Sequence, residues 1–145
     1  MDLQKDFHKY NLITGWGVFL IALLTYGLSV EPTVSFWDCG EYIATSAKLE
    51  VGHPPGAPFF QMVGAFFASF SPSPEKTALF VNFISVFSSA FTILFLYFII
   101  VNFTKKIALS SKETLTNAQV IGLDGSGVVG ALAYTFSDSF WFNAT

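Results

Sequence analysis

The chain has 145 residues, 52% of them apolar and only 12% charged, with a formal net charge of −3 and a mean hydropathy of +0.56. Soluble domains carry about 25% charged residues, so the composition argues against a disordered chain or an ordinary soluble enzyme, and the 18 phenylalanines call for lipid or a much larger core. Seven lysines and no arginine leave no basic stripe for nucleic acid, and Cys39, the single cysteine, permits neither an internal disulfide nor a cysteine metal cluster.

Residues 1–10 are polar and of mixed charge. Residues 13–30 carry no charge, and 18 residues suffice to cross about 30 Å of hydrocarbon as a helix. The sequence after Tyr26 is a poor signal-peptide cleavage site, so this run reads as an uncleaved anchor. Residues 31–56 are polar and hold Glu31, Asp38, Glu41, Glu50 and His53. Residues 57–70 are apolar but number 14, about 21 Å as a helix, which predicts an interfacial or re-entrant segment rather than a span. Ser71-Pro72-Ser73-Pro74 closes it, because proline cannot continue a helix. Residues 78–103 form the strongest span, 26 residues without charge, with Lys105 and Lys106 directly after. A polar stretch, 104–119, precedes a small-residue-rich third span at 120–136 that carries Asp124.

These elements predict an all-α integral membrane protein in a single membrane domain. It has about three transmembrane helices, an amphipathic helix, and a short re-entrant or interfacial helix in the first outer loop. Lys5 and Lys9 precede the first span, and Lys105, Lys106 and Lys112 follow the long one. If 57–70 does not cross, the positive-inside rule puts both clusters inside and the acidic 31–56 loop outside.

A helix beginning at Asp38, at 3.6 residues per turn, puts Asp38, Glu41, Thr45 and Lys48 on one stripe about 80° wide, with Tyr42, Ile43 and Ala47 away from it. This describes an amphipathic helix on the membrane surface, its polar stripe facing a cavity or water. Two compatible readings of the carboxylates follow. Asp38 is the N-cap and Glu41 its N3 partner in a capping box, or the two form a pair one turn apart, one accepting a proton while the other steers a substrate. His53-Pro54-Pro55-Gly56 is a rigid turn at the lipid interface, or a brace that holds His53 near the carboxylates.

Three other motifs carry less. Gly125-Ser126-Gly127-Val128-Val129-Gly130 fits a dinucleotide fingerprint but lacks the βαβ setting, and small residues that let membrane helices approach explain it better. Asn102-Phe103-Thr104 and Asn143-Ala144-Thr145 match the glycosylation sequon, the first discounted for its inner position. Asp124 is water-accessible near the inner end of its span, or an intramembrane relay.

The strings from Phe36 to Ala44 (FWDCGEYIA) and from Leu49 to Phe59 (LEVGHPPGAPF), with Val81-Asn82, Ser85 and the Phe136–Phe142 run, resemble a bacterial membrane protein family. It is catalogued as domain of unknown function 2723 and includes the eukaryotic transmembrane protein 260. Cys39 stands where that family commonly has serine. The resemblance covers nearly all of the chain and implies the GT-C class of membrane glycosyltransferases. These take a sugar from a polyprenyl phosphate and work on the extracytoplasmic side, here the periplasmic side of a bacterial inner membrane. The acceptor is a protein or glycan hydroxyl. Protein O-mannosyltransferases share the layout, with acidic residues and a His-Pro-Pro segment in the same loop.

The resemblance matches Asp38 to the essential acidic residue of the first outer loop, as general base. Glu41 then orients the acceptor or, with Asp38, holds a divalent cation. His53 hydrogen-bonds the phosphate or the sugar, and Trp37 and Lys48, the only local cation, complete the substrate-binding set. A leaving phosphate normally takes Arg or Lys. Family members are much longer, so the missing part is expected to supply one. The expected partners are the lipid-linked sugar, its acceptor, membrane lipid and further membrane helices. The alternative is a small non-catalytic membrane subunit or scaffold packing against partner proteins. A transporter fragment would want charges inside the spans, where Asp124 alone qualifies.

Overall fold

The computed structural model describes residues 6–35, 38–110 and 115–145. Among them all regular structure is helical: α1 (Phe7–Ser29), α2 (Cys39–Lys48), α3 (Pro58–Ala68), a 3₁₀ turn (Pro74–Lys76), α4 (Thr77–Ser110), α5 (Asn117–Thr135) and α6 (Asp138–Ala144). Phe7–Ser29 and Pro74–Ser110 are long and apolar enough to cross a membrane, and α5 with α6 makes a third if the two are one span broken by a 69° bend. The protein is thus an all-α membrane protein with two to three spanning helices.

Several helices overrun their apolar windows. α1 begins at Phe7, six residues before the charge-free run, and α4 continues through Lys105 and Lys106 to Ser110. Neither extension contains glycine or proline, so nothing in them halts helix propagation. At about 1.5 Å per residue the 34 residues of α4 reach about 51 Å, well beyond the hydrocarbon core. α5 starts at a capping box: the Gln119 N–H donates to Thr116 Oγ1 at 3.3 Å, and the Thr116 N–H donates to Gln119 Oε1 at 3.0 Å.

The chain divides into two compact units. One comprises Met1–Thr25 and Ser89–Asn143. In it α1 and α4 run antiparallel: Lys105 Nζ lies 4.3 Å from the centre of the Phe7 ring, Gly15 abuts Tyr97 and Phe98, and Phe19 meets Phe91 with ring centres 4.8 Å apart. α5 packs against α4, with Gly127 against Val101 and Tyr97 and Gly130 against Ile100. A β-carbon at Gly127 would come within 2.9 Å of the Tyr97 ring, so the two backbones approach only because glycine stands there. Leu115, Val120 and Leu123 pack with Phe7 and Ala108.

The other unit comprises Tyr26–Ser88 and Ala144–Thr145. Here the end of α1 lies beside the start of α4, where Gly27 faces Phe83 and Val86. Asn82 fastens the intervening loop, donating through Nδ2 to Glu31 O at 2.8 Å and Thr33 O at 3.0 Å. The chain therefore leaves α1 and rejoins α4 at one end, and α2 and α3 fill the excursion. α3 is 11 residues long, about 16 Å, and turns its large apolar side chains outward: Phe59, Met62 and Phe66 are exposed while Gln61 and Gly64 are buried. An apolar outside over a small and polar inside is the pattern of a helix that meets lipid.

Candidate functional site

The acidic loop folds around α2, which packs against α3. The contact is close because Gly64 carries no side chain; a β-carbon there would overlap Ser46, whose side chain is fully buried. Thr45 Oγ1 donates to Glu41 O at 2.8 Å and accepts from Gln61 Nε2 at 3.2 Å. Thr45 is 7% exposed, so the expectation that the whole polar stripe faces a cavity or water does not hold. Its middle is turned inward, because a hydroxyl that satisfies a buried glutamine amide is worth more between two helices than in water.

The capping box expected at the start of α2 is absent. Asp38 is at the N-cap, but with helical backbone angles (φ −77°, ψ −2°) and no side-chain capping bond. An N-cap side chain reaches the amides of the first turn from an extended backbone, and Asp38 lacks that geometry. Its carboxylate is exposed, and its carbonyl alone serves the helix, accepting from the Tyr42 N–H at 3.0 Å.

The Glu41 carboxylate instead spans the loop to His53. Oε1 accepts the His53 backbone N–H at 2.7 Å, and Oε2 lies 2.7 Å from His53 Nδ1. Two features of the chain permit this clasp. Gly52 leaves room, since a β-carbon there would sit 3.1 Å from Glu41 Oε1 and 3.2 Å from Gln61 Nε2. The next four residues form a tight turn, closed by the Gly56 N–H donating to His53 O at 2.9 Å around a cis Pro54–Pro55 bond. Gly56 adopts φ +73°, a left-handed conformation that other residues adopt only at a cost.

The pair shifts both partners. The His53 N–H and then its ring hold the Glu41 carboxyl below the usual glutamate range. The Glu41 hydrogen bond and charge raise the His53 imidazole above the usual histidine value, and the Asp38 charge adds to this. Both side chains stay accessible, His53 at 49% and Glu41 at 39%, so the imidazole is presented rather than hidden. Nδ1 is taken by Glu41, which leaves Nε2 facing outward from the clasp.

The Tyr42 ring meets His53 edge-on at 6.5 Å and Phe60 at 5.6 Å. It also lines a mostly apolar cavity of about 330 Å³ with Cys39, Ile43, Phe60, Asn82 and Ser85 among its walls. Tyr42 thus connects the ionic clasp to the cavity, although the helical stripe sets it aside. Asn82 and Gln61 escape the same reasoning; the available signal is a lone amide inside an otherwise apolar run. Lys48 is exposed in the last turn of α2, about 10 Å along the axis from Glu41, and does not join the clasp. Trp37 lies outside the described residues. Of the two carboxylates named for a divalent cation, Glu41 has both oxygens on His53. Among the described residues no group of three or more His, Cys, Asp or Glu side chains gathers to hold a metal.

The profile of the protein O-mannosyl-transferase TMEM260 N-terminal domain matches residues 38–145, from Asp38 through the whole clasp to the end of the sequence. The protein O-mannosyl-transferase tmem260 of Dictyostelium discoideum is 26% identical over 125 residues, covering 86% of this chain and 13% of that protein. The chain therefore spans about an eighth of the length of this relative. No solved structure matches it. With its helical membrane architecture and its acidic loop, the chain belongs to the protein O-mannosyl-transferase TMEM260 N-terminal domain family.

Proposed function

We propose that this chain carries the acidic active-site loop of a GT-C type glycosyltransferase, which moves a sugar from a polyprenyl phosphate to an acceptor hydroxyl on the extracytoplasmic side of the membrane. The observation that carries the reading is the Glu41–His53 clasp with Asp38 one helical turn away. Asp38 takes the acceptor proton as the hydroxyl oxygen attacks the anomeric carbon. The bond from that carbon to the phosphate oxygen breaks, and the polyprenyl phosphate leaves with the electron pair. His53, whose protonated form is favoured by the Glu41 hydrogen bond and charge, donates through Nε2 to the departing phosphate. An imidazolium thereby supplies positive charge in a chain that has no arginine.

The apolar cavity beside Tyr42 and the outward Phe59, Met62 and Phe66 of α3 suit the isoprenoid next to the phosphate. Lys105 and Lys106 at the opposite end of α4 support an outward-facing loop, periplasmic in a bacterial inner membrane. The acceptor is a protein or glycan hydroxyl, and mannose is the first sugar to test.

The test is transfer by the purified natural-length protein from polyprenyl-phosphate mannose to acceptor, wild type against Asp38→Asn. A loss of about 10²–10⁴-fold is expected. Near-normal transfer by the Asn variant would remove Asp38 from the chemistry and overturn the mechanism.

A further inference from the structure

Asp124 takes no part in the reaction proposed above. It lies seven residues into α5, about 10 Å along the axis, on a helix otherwise without charge. Oδ1 accepts from the Tyr97 hydroxyl at 3.2 Å, and Tyr97 is fully buried. Among the described residues this is the only hydrogen bond to the carboxylate, and no cation pairs with it. Lys105 is held over the Phe7 ring instead.

The carboxylate opens into a groove of about 330 Å³ between α1 and α5, lined by Tyr10, Thr14, Ile121, Gly125 and Val128. The wall at Gly125 is smooth: a β-carbon there would meet nothing within 4 Å.

Three physical facts select what fills such a groove. A carboxylate within a membrane helix is costly unless it faces a polar cavity or pairs with an opposite charge. Tyr97 offers one neutral hydrogen bond and leaves Oδ2 unmet. A glycine in the groove wall, Gly125, allows another helix backbone to come close, and the groove admits one long side chain. Charge complementarity rejects an acidic helix and disfavours a wholly apolar one, which would seal the carboxylate away from any partner.

We propose that the Asp124 groove is a docking site for a further membrane helix, which inserts a lysine or arginine side chain to pair with the Asp124 carboxylate. Tyr97 fixes the carboxylate from behind, and Gly125 and the exposed Ile121 form the bed on which the incoming helix lies. The site serves assembly rather than sugar transfer, so it stands independently of the reaction at Asp38.

The test places a benzophenone side chain at Ile121, which is 62% exposed, in the natural-length protein in its native membrane. Irradiation is followed by sequencing of the cross-linked peptide. The expected product joins Ile121 to an apolar segment with a lysine or arginine within about one turn of the attachment point. Yield should fall at least about 10-fold with Asp124→Asn, which keeps an acceptor for Tyr97, and persist with Asp124→Glu. Attachment to lipid alone, attachment to an apolar segment without a nearby cation, or a yield unchanged by Asp124→Asn would each overturn the proposal. Sequencing of the wild-type product decides the matter even if a variant folds poorly.

Discussion

Glu41 holds His53 through two bonds of 2.7 Å, one to the backbone N–H and one to Nδ1, across 12 residues of sequence. This clasp makes the charge state of His53 depend on Glu41. The wild-type His53 resonance should titrate above 6.5, the ordinary histidine value, and Glu41→Gln should bring the midpoint down. Proton NMR of the imidazole, its resonance assigned by loss in His53→Gln, measures both. An unchanged midpoint in the Gln variant would contradict the clasp.

The same shifts set a pH window. The raised His53 value gives a contribution that is complete below the unfolded histidine pKa, about 6.5, and is lost as pH rises through the folded value. The lowered Glu41 value gives a contribution present above the unfolded glutamate pKa and lost as pH falls through the depressed one. Hydrogen exchange at the His53 amide should therefore be slowest in mildly acidic solution, once corrected for intrinsic exchange. Protection that is flat from pH 4 to 9 would refute this.

Asp38→Ala should leave the thermal midpoint unchanged, because Asp38 makes no side-chain capping bond. Loss of a working N-cap costs about 1 kcal/mol. Thr116→Ala should show that cost, since Thr116 does cap α5. Denaturation of the two variants side by side separates the positions, and equal destabilisation would count against the assigned caps.

Gly64→Ala should destabilise the protein by about 1–3 kcal/mol through overpacking against Ser46. Ser46→Gly in the same chain should recover part of the loss, because it removes the atoms that the new methyl group meets. The coupling is read from a double-mutant cycle on the thermal midpoint; strict additivity would place the contact elsewhere.

In a Cys39→Ser background, a cysteine at Val51, which is 91% exposed, should react with an impermeant maleimide in intact cells, and one at Ser110 should not. The reverse result would invert the orientation inferred from the lysines.

Hydropathy and periodicity already define the all-α membrane class, the two long apolar helices and the shortness of 57–70, because these are properties of consecutive residues and of a solvent that tolerates no unpaired backbone. The helix from Asp38 is legible for the same reason, as is the break at Ser71 to Pro74. The partners of each polar side chain are not. Asp38 and Glu41 have the spacing of a capping box, yet Glu41 turns to a histidine that comes within reach only because Gly52 leaves space and the turn closed at Gly56 folds the chain back. Thr45 shares the acidic stripe but is drawn inward by Gln61. Asn82 lies in an apolar run and fastens a loop about 50 residues earlier in the chain. Local pattern sets where helices begin, end and point. Which hydrogen-bonding groups meet depends on helix packing at Gly64 and Ser46 and on the closure of the loop, and those are decided only when the segments are assembled.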